Sequence, residues 1–219
     1  MIVAIHQPDL LPYSGFWYKM INSDVFVLAI HDQFQKHGYQ RRVKMRDSWV
    51  SHQLDGKPSL VPIDTVNVLP GWQTRLSDSI RGRYLGAKHW RDRGPDLLDR
   101  IQAVEGTSLV DVNVGLIEVV RDLLDIRTPL VTTVPPTQVH VPRLVEEVQL
   151  VGGDVYLSGS GGRAYMGPEG EQLFADAGIE LRWSQHQHLT GDSVVTVLLD
   201  FDDPMAAIMN TTPTVDGHA

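Results

Sequence analysis

A chain of 219 residues that is 42% hydrophobic and 21% charged can bury a sizeable core, and its lack of cysteine excludes disulfides, thiolate zinc sites and a cysteine nucleophile together. It has no apolar run of about eighteen residues and no basic-then-apolar leader before the first strand, so the expectation is a cytoplasmic protein that does not engage a membrane. The formal charge of −8 hides an asymmetry: residues 36–93 carry twelve of the nineteen Lys and Arg against five acids, a cationic segment in an acidic chain that suggests an anionic ligand or else a solvated face.

The chain opens on an apolar run, Met1 to Ile5, that stops at His6-Gln7-Pro8-Asp9 and resumes as the aromatic segment Leu10 to Tyr18. Pro8 cannot donate a ladder hydrogen bond and holds Gln7 extended, so a strand ends there and presents imidazole, amide and carboxyl groups at a sheet edge. His6 and Asp9 can work as a base and its orienter if the turn folds them together. They can equally be a turn-capping His and a helix-capping Asp.

Strands are expected at 2–5, 25–30, 60–63, 130–134, 155–158 and 179–183, with helices near 14–22, 74–84, 95–104, 109–125, 142–151 and 168–177. This alternation predicts an α/β fold: a single domain over 1–210 with a mostly parallel central sheet flanked by helices, followed by a loose tail over 211–219. Ligands of such sheets sit beyond the carboxyl ends of the strands. Pro135-Pro136, after an apolar strand and before a new helix start at Pro142-Arg143, is the clearest hinge-like mark.

Two further clusters fall at predicted strand ends. His31-Asp32-Gln33 with Lys36, Gln40 and Arg42 follows the second strand, and its cations suit phosphate or carboxylate, or else solvent. Ser158-Gly159-Ser160-Gly161-Gly162-Arg163 with Tyr165 follows the fifth, where converging N–H groups can meet an anion or oxyanion. Gly-Ser runs are also ordinary loops. His89, His140, His186 and His188 have no evident partner, and the five tryptophans read as core or pocket wall. The chain contains no HExxH metalloprotease motif, no GxSxG elbow, no GxxxxGK[ST] loop, no GxGxxG fingerprint and no kinase signature.

The opening stretch resembles the WbqC-like family, which typically begins with a hydrophobic strand and IHQPDYLPWLGFF. Here the chain reads Ile5-His6-Gln7-Pro8-Asp9-Leu10-Leu11-Pro12-Tyr13-Ser14-Gly15-Phe16-Trp17. The resemblance continues through Phe26-Val27, Gln33-Phe34, Lys36, Tyr39-Gln40 and Arg42, then Trp72, Tyr84, Asn113 and Gly153-Asp154-Val155-Tyr156-Leu157-Ser158-Gly159 with Gly162 and Tyr165. Two departures stand out. Ile30-His31 replaces an acidic pair, with Asp32 displaced by one residue, and Ser193-Val194-Val195-Thr196 replaces an SxxDLLFN helix.

The resemblance implies a bacterial biosynthetic protein associated with surface polysaccharide, in a family proposed to transfer glycine. Such a transferase forms an amide on an amino group of a sugar or natural-product intermediate. Its expected partners are a small-molecule acceptor amine and an activated acyl donor, an aminoacyl-tRNA or a carrier-bound thioester. In that reading His6 deprotonates the amine with Asp9 orienting it and Gln7 alongside. Tyr165 and the backbone of Ser158, Gly159, Gly161 and Gly162 meet the oxyanion, while Asp32, Gln33, Lys36, Gln40 and Arg42 bind substrate. No cofactor is expected, no residue is assigned as a metal ligand, and metal dependence is not carried over from the family. The alternative is a small-molecule or nucleotide-sugar binding protein, or a transferase or hydrolase of another class.

Overall fold

Alternate residues of the first strand divide the interior in two. In β1 (Ile2–His6), Ala4 faces one apolar cluster while Val3 and Ile5 face another, as the two-residue period of a strand requires. In β2 (Val25–Leu28), Phe26 and Leu28 join the first cluster and Val27 the second. Strands buried on both faces are continuous apolar runs, and such sheets need helices on each side. The computed structural model describes residues 1–187 and 189–209, so His188 and the tail expected at 211–219 lie outside the described residues.

Among the described residues, β1 and β2 pair with β5 (Leu130–Val131), β6 (Val155–Ser158) and β7 (Glu180–Trp183) in the order β5-β2-β1-β6-β7. Every pairing is parallel, with β1 in register from Val3↔Val25 to His6↔Leu28 on one side and Ile2↔Val155 on the other. The protein is an α/β single domain, as the sequence predicts.

The larger cluster takes apolar residues from α1 (Ser14–Ile21), α2 (Trp72–Tyr84), α3 (Trp90–Gln102), α4 (Leu109–Leu123), α7 (Val194–Asp200) and α8 (Pro204–Ile208). The smaller takes them from α5 (His140–Leu150) and α6 (Arg163–Asp176) on the other face of the sheet. α6 is interrupted at Gly167, whose φ of 59° and ψ of −179° precede Pro168, so the helix expected to begin at 168 is the second half of a broken one.

Three segments differ from expectation. Residues 60–63 form no strand: Leu60 is 81% exposed with φ 55°, and Ile63–Thr65 is a 3-10 turn. Pro62 lacks the N–H a strand interior needs, and the segment makes only a bridge to Gln33. β3 (Arg42–Met45) and β4 (Ser48–Ser51) form an antiparallel hairpin turned through Arg46 and Asp47 at positive φ, where Asn-Gly would have given the usual signal. α7 is rich in valine and reads locally as a strand, yet it is helical because Ser193 caps it and six of its seven residues are buried.

Candidate functional site

Parallel pairing of β1 runs to His6, and the N–H of Ala29 donates to the His6 carbonyl at 2.9 Å. Beyond it the chain turns at Pro8, held by Asn113 of α4. The fully buried Asn113 amide donates to the Pro8 and Gln40 carbonyls at 2.7 Å each, so one side chain joins the loop after β1 to the loop after β2. A second link is the Leu10 N–H on the Tyr39 carbonyl at 2.9 Å.

Within this frame polar side chains form a chain of contacts. Gln40 Nε2 donates to Gln7 Oε1 at 2.9 Å, and Gln7 Nε2 donates to Asp32 Oδ2 at 2.6 Å. Asp32 Oδ1 meets Arg143 at 2.5 Å, and Arg143 lies 3.2 Å from Glu147, one turn on along α5. Gln40 also accepts from the Gln35 N–H at 2.9 Å. These groups surround a cleft of about 280 Å³ whose walls include His6, Asp9, Asp32, Tyr39, Arg143 and Tyr165. It opens over the carboxyl ends of β1 and β6, where the loop after β1 leads to β2 on one side and the loop after β6 leads to β7 on the other, the usual ligand crevice of an open parallel sheet.

Burial sets the proton chemistry of this cleft. Desolvation lowers the His6 imidazole from its ordinary value to about 3, and the nearby Lys19 ammonium pushes it the same way. His6 is therefore neutral. Its Nδ1 lies 3.0 Å from the Gln7 carbonyl, which can only accept, so Nδ1 carries the proton and Nε2 the lone pair.

Asp9 is 5% exposed, and its buried Oδ1 has no hydrogen-bond partner among the described residues. Desolvation raises its carboxyl to about 7 against the opposing pull of Lys19. The Lys19 ammonium, itself buried on α1, donates to the Ile5 carbonyl at 3.2 Å and is pulled down to about 8 by desolvation. On α5, Glu147 is 1% exposed, and burial pushes it up to about 7 despite Arg143. Desolvation also raises the Tyr165 phenol, which therefore stands in the cleft as a neutral donor beside the Ser158 and Tyr156 hydroxyls.

The structure brings together His6, Gln7, Asp9, Asp32 and Tyr165, with Gln40 holding them from behind and Ser158 buried at the end of β6. It does not join His6 to Asp9 by a hydrogen bond. Their nearest atoms are 3.6 Å apart, and the Nδ1 proton is spent on Gln7.

Lys36 and Arg42 are not in the cleft. Lys36 faces a second depression, and Arg42 donates to the His37 carbonyl and stacks on Trp49 with its guanidinium 4.1 Å from the ring centre. Gln33 contributes its carbonyl, which accepts from Gln40 at 3.3 Å, and its side chain is not among the cleft walls. Of the N–H groups after β6, that of Gly162 is spent on the Gly159 carbonyl at 2.9 Å. A Cβ on Gly162 would come 2.4 Å from Ser158 Oγ, so packing is what requires glycine there.

Sequence reasoning missed Arg143, Glu147 and Lys19. Arg143 and Glu147 are four apart on an amphipathic helix, a signal that also fits an ordinary surface pair. Lys19 sat in an otherwise apolar helical stretch, and a lysine on a buried helix face was the available clue. His89, without an evident partner in the sequence, meets Asp202 at 2.8 Å.

Both departures from the family pattern have visible consequences. Asp32, one position late, still delivers a carboxylate to the cleft, while His31 reaches Asp64 and the Thr133 carbonyl at 3.3 Å each. Thr196, where an acid is usual, bonds Tyr84 at 2.6 Å and does not line the cleft, so that replacement leaves its walls unchanged. Among the described residues no three His, Asp or Glu side chains are grouped to hold a metal ion, and no helix is long and apolar enough to cross a membrane.

A parallel α/β domain with a polar cleft at the reversal of its strand order is the class these features define. The WbqC-like protein family matches residues 7–190, and the chain belongs to that family. No curated protein and no solved structure matches it.

Proposed function

We propose that the protein is a cytoplasmic acyl or aminoacyl transferase that forms an amide on an amino group of a sugar or natural-product intermediate. The observation that carries this reading is Asp9: a buried carboxyl in the cleft wall that desolvation raises to about 7, matched to accepting a proton at neutral pH.

The acceptor arrives as an ammonium and gives a proton to the Asp9 carboxylate. The freed amine attacks the acyl carbonyl, and the tetrahedral oxyanion is met by the neutral Tyr165 hydroxyl. The second proton on nitrogen passes to solvent. The carbon–oxygen or carbon–sulfur bond to the carrier then breaks, and the leaving group departs with the proton held by Asp9. His6, too weak a base for this step, offers its Nε2 lone pair to orient the amine N–H. Arg143 supplies the cleft's cation for a donor or acceptor carboxylate.

The test compares small metabolites by high-resolution mass spectrometry in cells with and without the gene, then adds purified wild-type or Asp9→Asn protein to the deficient extract. An accumulating amine that gains the mass of a glycyl or other acyl residue with wild type and not with Asp9→Asn is the expected outcome. If the metabolite pools are identical while the purified chain is still stabilised by an extract metabolite, the binding-protein reading replaces this one.

A further inference from the structure

The segment after β2 forms a wall between two depressions. Gln35 faces the cleft described above, while Phe34 and Lys36 on either side of it face a second depression of about 650 Å³. This second depression is closed by Arg41 and by the turn through Gly56 and Lys57, where Gly56 holds φ 74°.

Among the described residues its walls contain three cations and no acid, in a chain whose acids outnumber its Lys and Arg by 27 to 19. Most other arginines of the basic stretch are committed: Arg75 to the Leu69 and Pro70 carbonyls, Arg93 to those of Leu198, Phe201 and Asp202, and Arg46 to Asp200. Lys36 and Lys57 form no ion pair or hydrogen bond among the described residues, and Arg41 spends its Nε on the His52 carbonyl. The rest of the lining is largely apolar, from Phe34, Leu54, Pro58 and Leu69. Unspent cations above an apolar floor suit a ligand with a multiply charged anion at one end and an organic body at the other.

We infer that the depression between Lys36, Arg41 and Lys57 is a binding site for an organic diphosphate, with the phosphates on the cations and the organic part over Phe34 and Leu69. The depression has the size of ordinary ligand pockets, about 300–1,000 Å³. Its role rests on the acyl-transfer reading: a diphosphate-bearing substrate anchored here crosses the Gln35–Lys36 wall with its reactive end in the first cleft. Binding itself does not depend on that reading.

The experiment is calorimetric titration of the full chain with inorganic pyrophosphate, ADP, a UDP-linked amino sugar and coenzyme A, repeated on the double variant Lys36→Gln/Lys57→Gln and on Asp9→Asn. Pyrophosphate should bind the wild type, weaken as salt rises, and lose roughly tenfold or more in affinity in the double variant, because two charge-assisted contacts are removed. Asp9→Asn should bind it unchanged. Tighter binding of one organic diphosphate than of pyrophosphate supports the apolar part of the site and tells a carrier thioester from a nucleotide sugar. Equal binding of all four overturns that part. Failure of pyrophosphate and ADP to bind at millimolar concentration, or binding indifferent to the double variant, overturns the site. Diphosphate binding without any amide product would count against the acyl-transfer reading alone.

Discussion

The cleft over β1 and the basic stretch from 36 to 93 spend their charges differently. At the cleft the charged side chains are held by other side chains or by burial: Asp32 by Gln7 and Arg143, Arg143 also by Glu147 one turn along its helix, and Asp9 by burial near Lys19. In the basic stretch most arginines donate to main-chain carbonyls and serve as structural ties. A count of charges along the chain says little about where a field will act. The cleft's own cation, Arg143, comes from outside the basic stretch, while Lys36, Arg41 and Lys57 within that stretch face a separate depression.

The sharpest way to break this contrast is to neutralise one group on each side of it. Asp9→Asn should lower turnover by about 10²–10⁴ with the fold intact, the range typical of a lost proton acceptor. Arg42→Gln, at a side chain outside the cleft that stacks on Trp49 and donates to the His37 carbonyl, should leave turnover within about twofold. Both are read from amide formation in the deficient extract. Equal losses would mean the cleft has no special role.

The scaffold beneath the cleft comes next. Asn113→Ala strips two buried carbonyls of their donor and should cost about 2–4 kcal/mol in urea unfolding. A cost near zero would show that the two loops are held by other contacts. The glycines after β6 separate packing from function. Gly162→Ala drives a methyl onto Ser158 and should cost about 1–3 kcal/mol, whereas Gly159→Ala and Gly161→Ala meet nothing within 4 Å and should change stability by about 0.5 kcal/mol or less.

The smallest effect depends on pH. The Glu147 pKa is higher in the folded chain, about 7, than in the unfolded chain, so its contribution is present at acid pH and is lost as pH rises from about 4.5 through about 7. Glu147→Gln should therefore match wild type near pH 4 and exceed it by about 1–2 kcal/mol at pH 8. His6 runs the other way, with its folded pKa depressed, so its contribution is present above about 6.5 and lost as pH falls towards 3. Thermal unfolding of Glu147→Gln and wild type across this range checks the sign, and a gap that narrows with rising pH would contradict it.

Much of the scaffold was legible because burial leaves a local mark. The apolar runs of β1, β2 and β6 and the punctuation at Pro8, Gly153 and Gly178 place those strands within one or two residues. The β3–β4 hairpin was hidden because Arg46 and Asp47 take a turn conformation that ordinarily selects glycine or asparagine. α7 was hidden because a valine-rich run becomes helical through tertiary burial and a Ser193 cap.

At the site, the His6-Gln7-Pro8-Asp9 motif and Asp32 could be read from the chain because they fall where strands end. Arg143 and Glu147 could not, since their membership depends on how α5 crosses the sheet. The division of roles within the motif was equally hidden. Spacing suggests a base and its orienter, whereas burial lowers the His6 imidazole and raises the Asp9 carboxyl, which under the proposed function makes Asp9 the proton acceptor.

That inversion is tested most directly by following the Asp9 carboxyl carbon by NMR through a pH titration of the selectively labelled chain, with Asp9→Asn identifying the signal. A midpoint close to 7 is the expected result. A midpoint near 4, the ordinary value of an exposed aspartate, would mean that Asp9 is too weak a base at neutral pH to be the group that takes the proton.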